Sequence, residues 1–186
     1  EKIVASFYKN FDNKKFKEYL DKFQISKKTK IKNLSKGQSI KLMLAKALSH
    51  SAKLLILDEP TSGIDPIFRK DMIKLIQEEL ESGDKSAIFS THITQDLEHM
   101  ADYITFINKG KLVFSESKEF IDENYKIIRG SKEMLDNTNI DFIKRKDERY
   151  FSEGIFIESG YKNSDNISKA TLEDILYYMG GETIND

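Results

Sequence analysis

Few folds can accommodate residues 53–91. The stretch opens on an apolar run, KLLILD (53–58), continues through PIFRKDMIKLIQEEL (66–80) and closes on a second apolar run, SAIFST (86–91). In the middle segment Phe68, Met72, Leu75, Ile76 and Leu80 recur at helical spacing and mark one face. Short apolar runs alternating with an amphipathic helix are the signature of strand and helix units around a parallel sheet. Asp65 can cap that helix, Pro66 suits its first position and Gly83 follows its end. Two further strand-like runs, DYITFIN (102–108) and KLVFS (111–115), extend the pattern. Residues 34–114 therefore read as an α/β core.

The flanks differ from this core. Residues 1–33 are rich in lysine and aromatics, and Phe16, Tyr19, Leu20 and Phe23 recur at helical spacing. They read as a small helical unit with a solvated basic face. A DNA-binding stripe is the alternative for those lysines. It is disfavoured by the balance of 30 Lys+Arg against 31 Asp+Glu across the chain. Residues 115–186 read as a small α+β appendage. SKEFIDENY is a helix, YKIIRG a strand and SKEMLD a helix; DFIKRKDERYFSEGIFIESG forms two strands around a polar turn, and ATLEDILYYMGG a last helix. With no cysteine there is no disulfide framework and no thiolate metal site. No apolar run approaches the roughly 18 to 20 residues that cross a bilayer.

Four short motifs carry the chemistry. LSKGQ (34–38) stands directly ahead of the helical SIKLMLAKALS, where free N–H groups and the helix dipole favour an anion. Simple capping is the plainer alternative, since Ser35 followed by Gln38 resembles a capping box. LLILDEP (54–60) ends a buried strand in Asp58 and Glu59. An acid so placed suits Mg²⁺ bound through water, and its neighbour suits the polarising of a nucleophilic water. The alternative is a polar strand end turning into a loop. TSGID (61–65) follows at once. STH (90–92) puts His92 at the carboxyl end of the next strand, where ligands bind in open parallel sheets, although a lone histidine is more often structural.

In this order and spacing the four motifs resemble the nucleotide-binding subunit of ABC transporters, over roughly residues 1–120. The resemblance implies a P-loop NTPase-like parallel sheet with helices. LSKGQ is then the signature motif (Leu34, Ser35, Lys36, Gly37, Gln38) that meets a nucleotide held by a second subunit. Lys36 stands where the commonest form has glycine. LLILDEP resembles Walker B, with Asp58 at the metal and Glu59 as catalytic base. Ser62, Gly63 and Asp65 fall in the D-loop, and His92 is the switch histidine. ATP and Mg²⁺ are the implied cofactors. The implied partners are a second nucleotide-binding subunit, homo- or heterodimeric, and a membrane-spanning permease; no nucleic acid is expected. The location follows: cytoplasmic, at the inner face of the cell membrane through the permease. Residues 1–33 are similar to part of the family's helical subdomain.

The G-x-x-x-x-G-K-[ST] loop that grips phosphate in this family does not occur in the 186 residues and is expected upstream. Hydrolysis is accordingly expected of the intact protein and not of this stretch alone. The tail is similar to those of bacterial exporter subunits that handle drugs, antimicrobials or amphipathic peptides. The alternative is a soluble relative acting on ribosomes or DNA; such relatives carry paired cassettes with a charged linker or a long coiled coil, and neither is seen here.

Overall fold

The computed structural model describes residues 10–81, 83–158 and 165–180. Residues 1–9 of the basic first section, the end of the last hairpin strand (159–160) and Gly181 of the final helix lie outside them. The chain divides into two units, residues 1–93 and 94–186.

In the first unit Asp12 caps helix α1 (Asn13–Lys22), its carboxylate accepting from the amides of Lys14 and Lys15. Phe16, Tyr19 and Leu20 are buried along one face, and Phe23 just beyond meets Phe68 edge-on at 5.6 Å. Helix α2 (Lys36–Leu48) buries Leu44, Ala45 and Leu48. Strand β1 (Leu54–Asp58), helix α3 (Pro66–Leu80) and strand β2 (Ser86–Ser90) form the expected unit. β1 and β2 run parallel, with Leu54 opposite Ser86 and Asp58 opposite Ser90. Helix α3 buries Phe68, Met72, Ile73, Leu75 and Ile76, while Leu80 is only half-buried. Ile56 and Ile88, opposite one another, are 74% and 60% exposed, so the described residues leave an apolar face of this sheet open.

A carboxylate ties α1 to α3. Lys15 Nζ lies 2.6 and 2.8 Å from the two oxygens of Glu79, and the Tyr19 hydroxyl donates to it at 2.6 Å. Lys85, just ahead of β2, donates as well. Burial on its own raises the pKa of Glu79. The hydrogen bonds from Lys15, Lys85 and Tyr19 outweigh it and lower the pKa to about 2. Tyr19 is pushed upward, first by burial and then by its bond to Glu79.

The second unit opens with helix α4 (Thr94–Met100) and the antiparallel hairpin of β3 (Tyr103–Asn108) and β4 (Lys111–Ser117). Lys109 and Gly110, both at positive φ, make its two-residue turn. Helix α5 (Lys118–Asn124) leads into β5 (Tyr125–Gly130), then helix α6 (Lys132–Asp136), β6 (Phe142–Asp147), β7 (Ser152–Ile157), β8 (Ile167–Lys169) and helix α7 (Leu172–Gly180). The sheet is antiparallel in the order β6-β7-β5-β8. Tyr125, Lys126, Ile127 and Ile128 are buried in succession, as befits an inner strand covered on both faces. Ile127 and Ile155 join Ile121 and Ile175 in one core; Ile128, Phe156, Leu135 and Ile167 form another.

One expectation shifts. The hairpin reads from sequence as part of the 34–114 core, yet Ile104 and Phe114 are buried with Tyr125 and Ile175 in the second unit. The division falls between Ile93 and Thr94, upstream of the boundary that periodicity suggests.

Met72 is fully buried in α3. Met72→Ala should lower the unfolding free energy by about 2–5 kcal/mol, read as a reduced urea midpoint. Glu79 gives an acid signature. Its folded pKa lies below the unfolded 4.5, so its contribution is present above that pH and is lost as pH falls toward 2. Urea titrations across this range should show the loss, and Glu79→Gln should flatten that part of the profile.

Candidate functional site

Parallel strands deliver their carboxyl ends to the same edge, and the first unit's chemistry gathers there. β1 ends at Asp58, and Glu59 turns the chain in the left-handed region, at φ +46. That conformation is uncommon for a residue with a side chain and costs on the order of 1 kcal/mol. It is held from two sides. The Ser62 amide donates to the Glu59 carbonyl at 3.1 Å, and the Glu59 amide donates to Ser90 Oγ at 3.0 Å. Ser90 in turn donates its hydroxyl to Asp58 Oδ1 at 2.6 Å. His92 Nδ1 lies 2.9 Å from Glu59 Oε2. An ionised carboxylate only accepts, so Nδ1 carries the proton and Nε2 is the remaining ring nitrogen. Asp58 and Glu59 of one sequence motif and His92 of another therefore meet at one corner.

Ser35 and Gln38 form a full capping box on α2: Gln38 N donates to Ser35 Oγ at 3.2 Å, and Ser35 N to Gln38 Oε1 at 3.0 Å. The plainer of the two sequence readings is thus realised. Leu34 closes the preceding turn, its amide donating to Ile31 O at 3.1 Å. At Gly37 a Cβ would meet nothing within 4 Å. Asp65 caps α3 through Phe68 N at 2.8 Å, with Pro66 at its start. Lys36 and Gly63 come together. A Cβ on Gly63 would stand 2.6 Å from Lys36 Nζ and 3.1 Å from Cε, and Gly63 itself is at φ +73. Ser62 is half-buried in the same loop.

Sequence reasoning passes over Ser90. It lies within the STH motif, but its importance depends on the β1–β2 register that sets it opposite Asp58.

The donor set fits Mg²⁺ of the kind held by one carboxylate and by substrate phosphates. Asp58 is exposed, and its second oxygen carries no hydrogen bond among the described residues. Among those residues there is no group of three or more His, Asp or Glu that would form an all-protein cage.

A family model described as ABC transporter matches residues 4–62. The lantibiotic transport ATP-binding protein SrtF of Streptococcus pyogenes is 40% identical over 89 residues, covering 48% of this chain and 38% of that protein. The phosphate import ATP-binding protein PstB of Campylobacter jejuni is 44% identical over 90 residues, covering 48% of this chain and 36% of that protein. The chain thus spans well under half the length of these curated relatives. A solved structure described as the ATP binding subunit of an ABC transporter superposes with a TM-score of 0.57 at 21% identity, covering 64% of this chain and 52% of the other; this likeness speaks to fold.

Gly63→Ala should cost about 1–2 kcal/mol through its left-handed backbone. The added methyl should also displace the flexible end of Lys36. Urea unfolding checks the first effect, and the Lys36 side-chain resonances in NMR spectra check the second.

Proposed function

We propose that the chain is part of an ABC transporter ATP-binding subunit, as its match to the ABC transporter family model and its similarity to such subunits support, and that in the complete protein it binds and hydrolyses ATP to drive transport through a membrane-spanning partner. The observation that carries this reading is the corner where Glu59, His92 and Asp58 meet at the ends of two parallel strands. Mg-ATP, when bound, supplies the scissile phosphate and a metal that neutralises charge between phosphates. Asp58 would hold the metal, with the oxygen that Ser90 does not occupy. Glu59 orients the attacking water by accepting its proton, and the bond to His92 fixes the carboxylate for that task. His92 Nε2 is left to register the terminal phosphate. The opening turn of α2, with Ser35, Lys36 and Gly37, faces a nucleotide held by a second subunit, where free amides and the helix dipole favour negative charge. Ser62, Gly63 and Asp65 line the same junction, with Asp65 also serving as helix cap.

Two subunits would close on ATP and separate after hydrolysis, and the helical section around 1–33 would pass that movement to the permease. This places the protein in the cytoplasm, at the inner face of the membrane. Among the described residues no helix is long and apolar enough to cross a bilayer. Export of drugs, antimicrobials or amphipathic peptides is the preferred direction. Similarity to a lantibiotic transport protein supports it, and a comparable match to a phosphate import protein makes direction a question for transport assays. The open Ile56–Ile88 face supports further chain covering this sheet in the complete protein.

Glu59→Gln in the complete protein should abolish turnover while an ATP-bound dimer accumulates, measured by phosphate release and by size-exclusion chromatography with ATP. Wild-type hydrolysis by this variant would contradict the role given to Glu59.

A further inference from the structure

The geometry points to Ser90 as a positioning residue that sets both acids of the corner through a single hydroxyl. A serine hydroxyl has one proton to give and two lone pairs to receive. Here the proton goes to Asp58 Oδ1 at 2.6 Å, and a lone pair receives the Glu59 amide at 3.0 Å. The two bonds support each other. Donation to a carboxylate is charge-assisted, and it fixes the hydroxyl rotor so that a lone pair is left for the amide.

Each bond has its own consequence. The first holds Oδ1 of Asp58 and leaves the other oxygen for a metal. The second anchors the backbone of Glu59 in its left-handed conformation, from which the side chain reaches His92. Alanine at position 90 would remove both at once. Threonine would keep the hydroxyl and add one methyl at an exposed strand end. Ser90 touches neither the attacking water nor the phosphate in this scheme, so it acts through Asp58 and Glu59.

The catalytic part of this inference rests on the function proposed above, whereas the positioning part does not, and the test separates them. In the complete protein without nucleotide or magnesium, amide exchange of Glu59 is followed by NMR. Ser90→Ala should speed that exchange by about 10-fold, as expected for losing one hydrogen bond, and Ser90→Thr should stay near wild type. In ATPase assays Ser90→Ala should lower kcat by about 10- to 100-fold, the range for removing a group that orients a metal ligand, with a smaller change in KM. Ser90→Thr should recover most of that loss. Should Ser90→Ala not fold, Ser90→Cys, whose thiol donates and accepts weakly, is read in the same two ways. Unchanged exchange, unchanged kcat, or a threonine variant as impaired as alanine would each overturn the assignment. A wild-type protein that neither hydrolyses ATP nor dimerises with it would instead sink the proposed function, and the exchange measurement would still decide the positioning role.

Discussion

Parallel pairing of Leu54–Asp58 with Ser86–Ser90 is the constraint from which the chemistry of the first unit follows. Two strands running in the same direction end at the same edge, and the register sets the last residue of one opposite the last of the other. Each strand then turns away, so Glu59, the residue after β1, and His92, two residues past β2, come within hydrogen-bonding distance. A slip of one residue would carry Asp58 to the other face of the sheet and undo every contact at the corner.

The unit treats its charges in two ways. Glu79 is mostly buried, and its oxygens receive Lys15, Lys85 and Tyr19; a carboxylate so supplied is a structural joint between α1, α3 and the approach to β2. Asp58 and Glu59 are more open and only partly supplied, with one hydroxyl and one imidazole between them. The contrast separates an acid that holds helices together from acids left able to engage something else. Distance from the core is part of the cause, because a buried acid without donors would be too costly to keep ionised.

How much of this could be read from residues alone varies with sequence distance. The buried faces of α1 and α3, the Asp65 cap, the Ser35–Gln38 box and the strand YKIIRG all follow from patterns a few residues long, and they are found where those patterns place them. The elements missed depend on meetings between remote segments. Ile167–Lys169 is a strand only because Tyr125–Gly130 runs beside it. The hairpin around Lys109 has a clear local signature, yet its allegiance is set by where Ile104 and Phe114 find apolar company. Ser90 is of the same kind: an ordinary polar residue until the register brings Asp58 alongside.

The bond between Ser90 and Asp58 joins positions 32 apart in the chain. Helices close through local contacts, whereas strand partners this remote must first bear the entropy of bringing distant segments together. On a ribosome the two acids emerge well before the hydroxyl and imidazole that orient them. The nascent chain thus carries its carboxylates unaligned until α3 has formed and β2 has docked, and the corner is among the last features of this unit to mature.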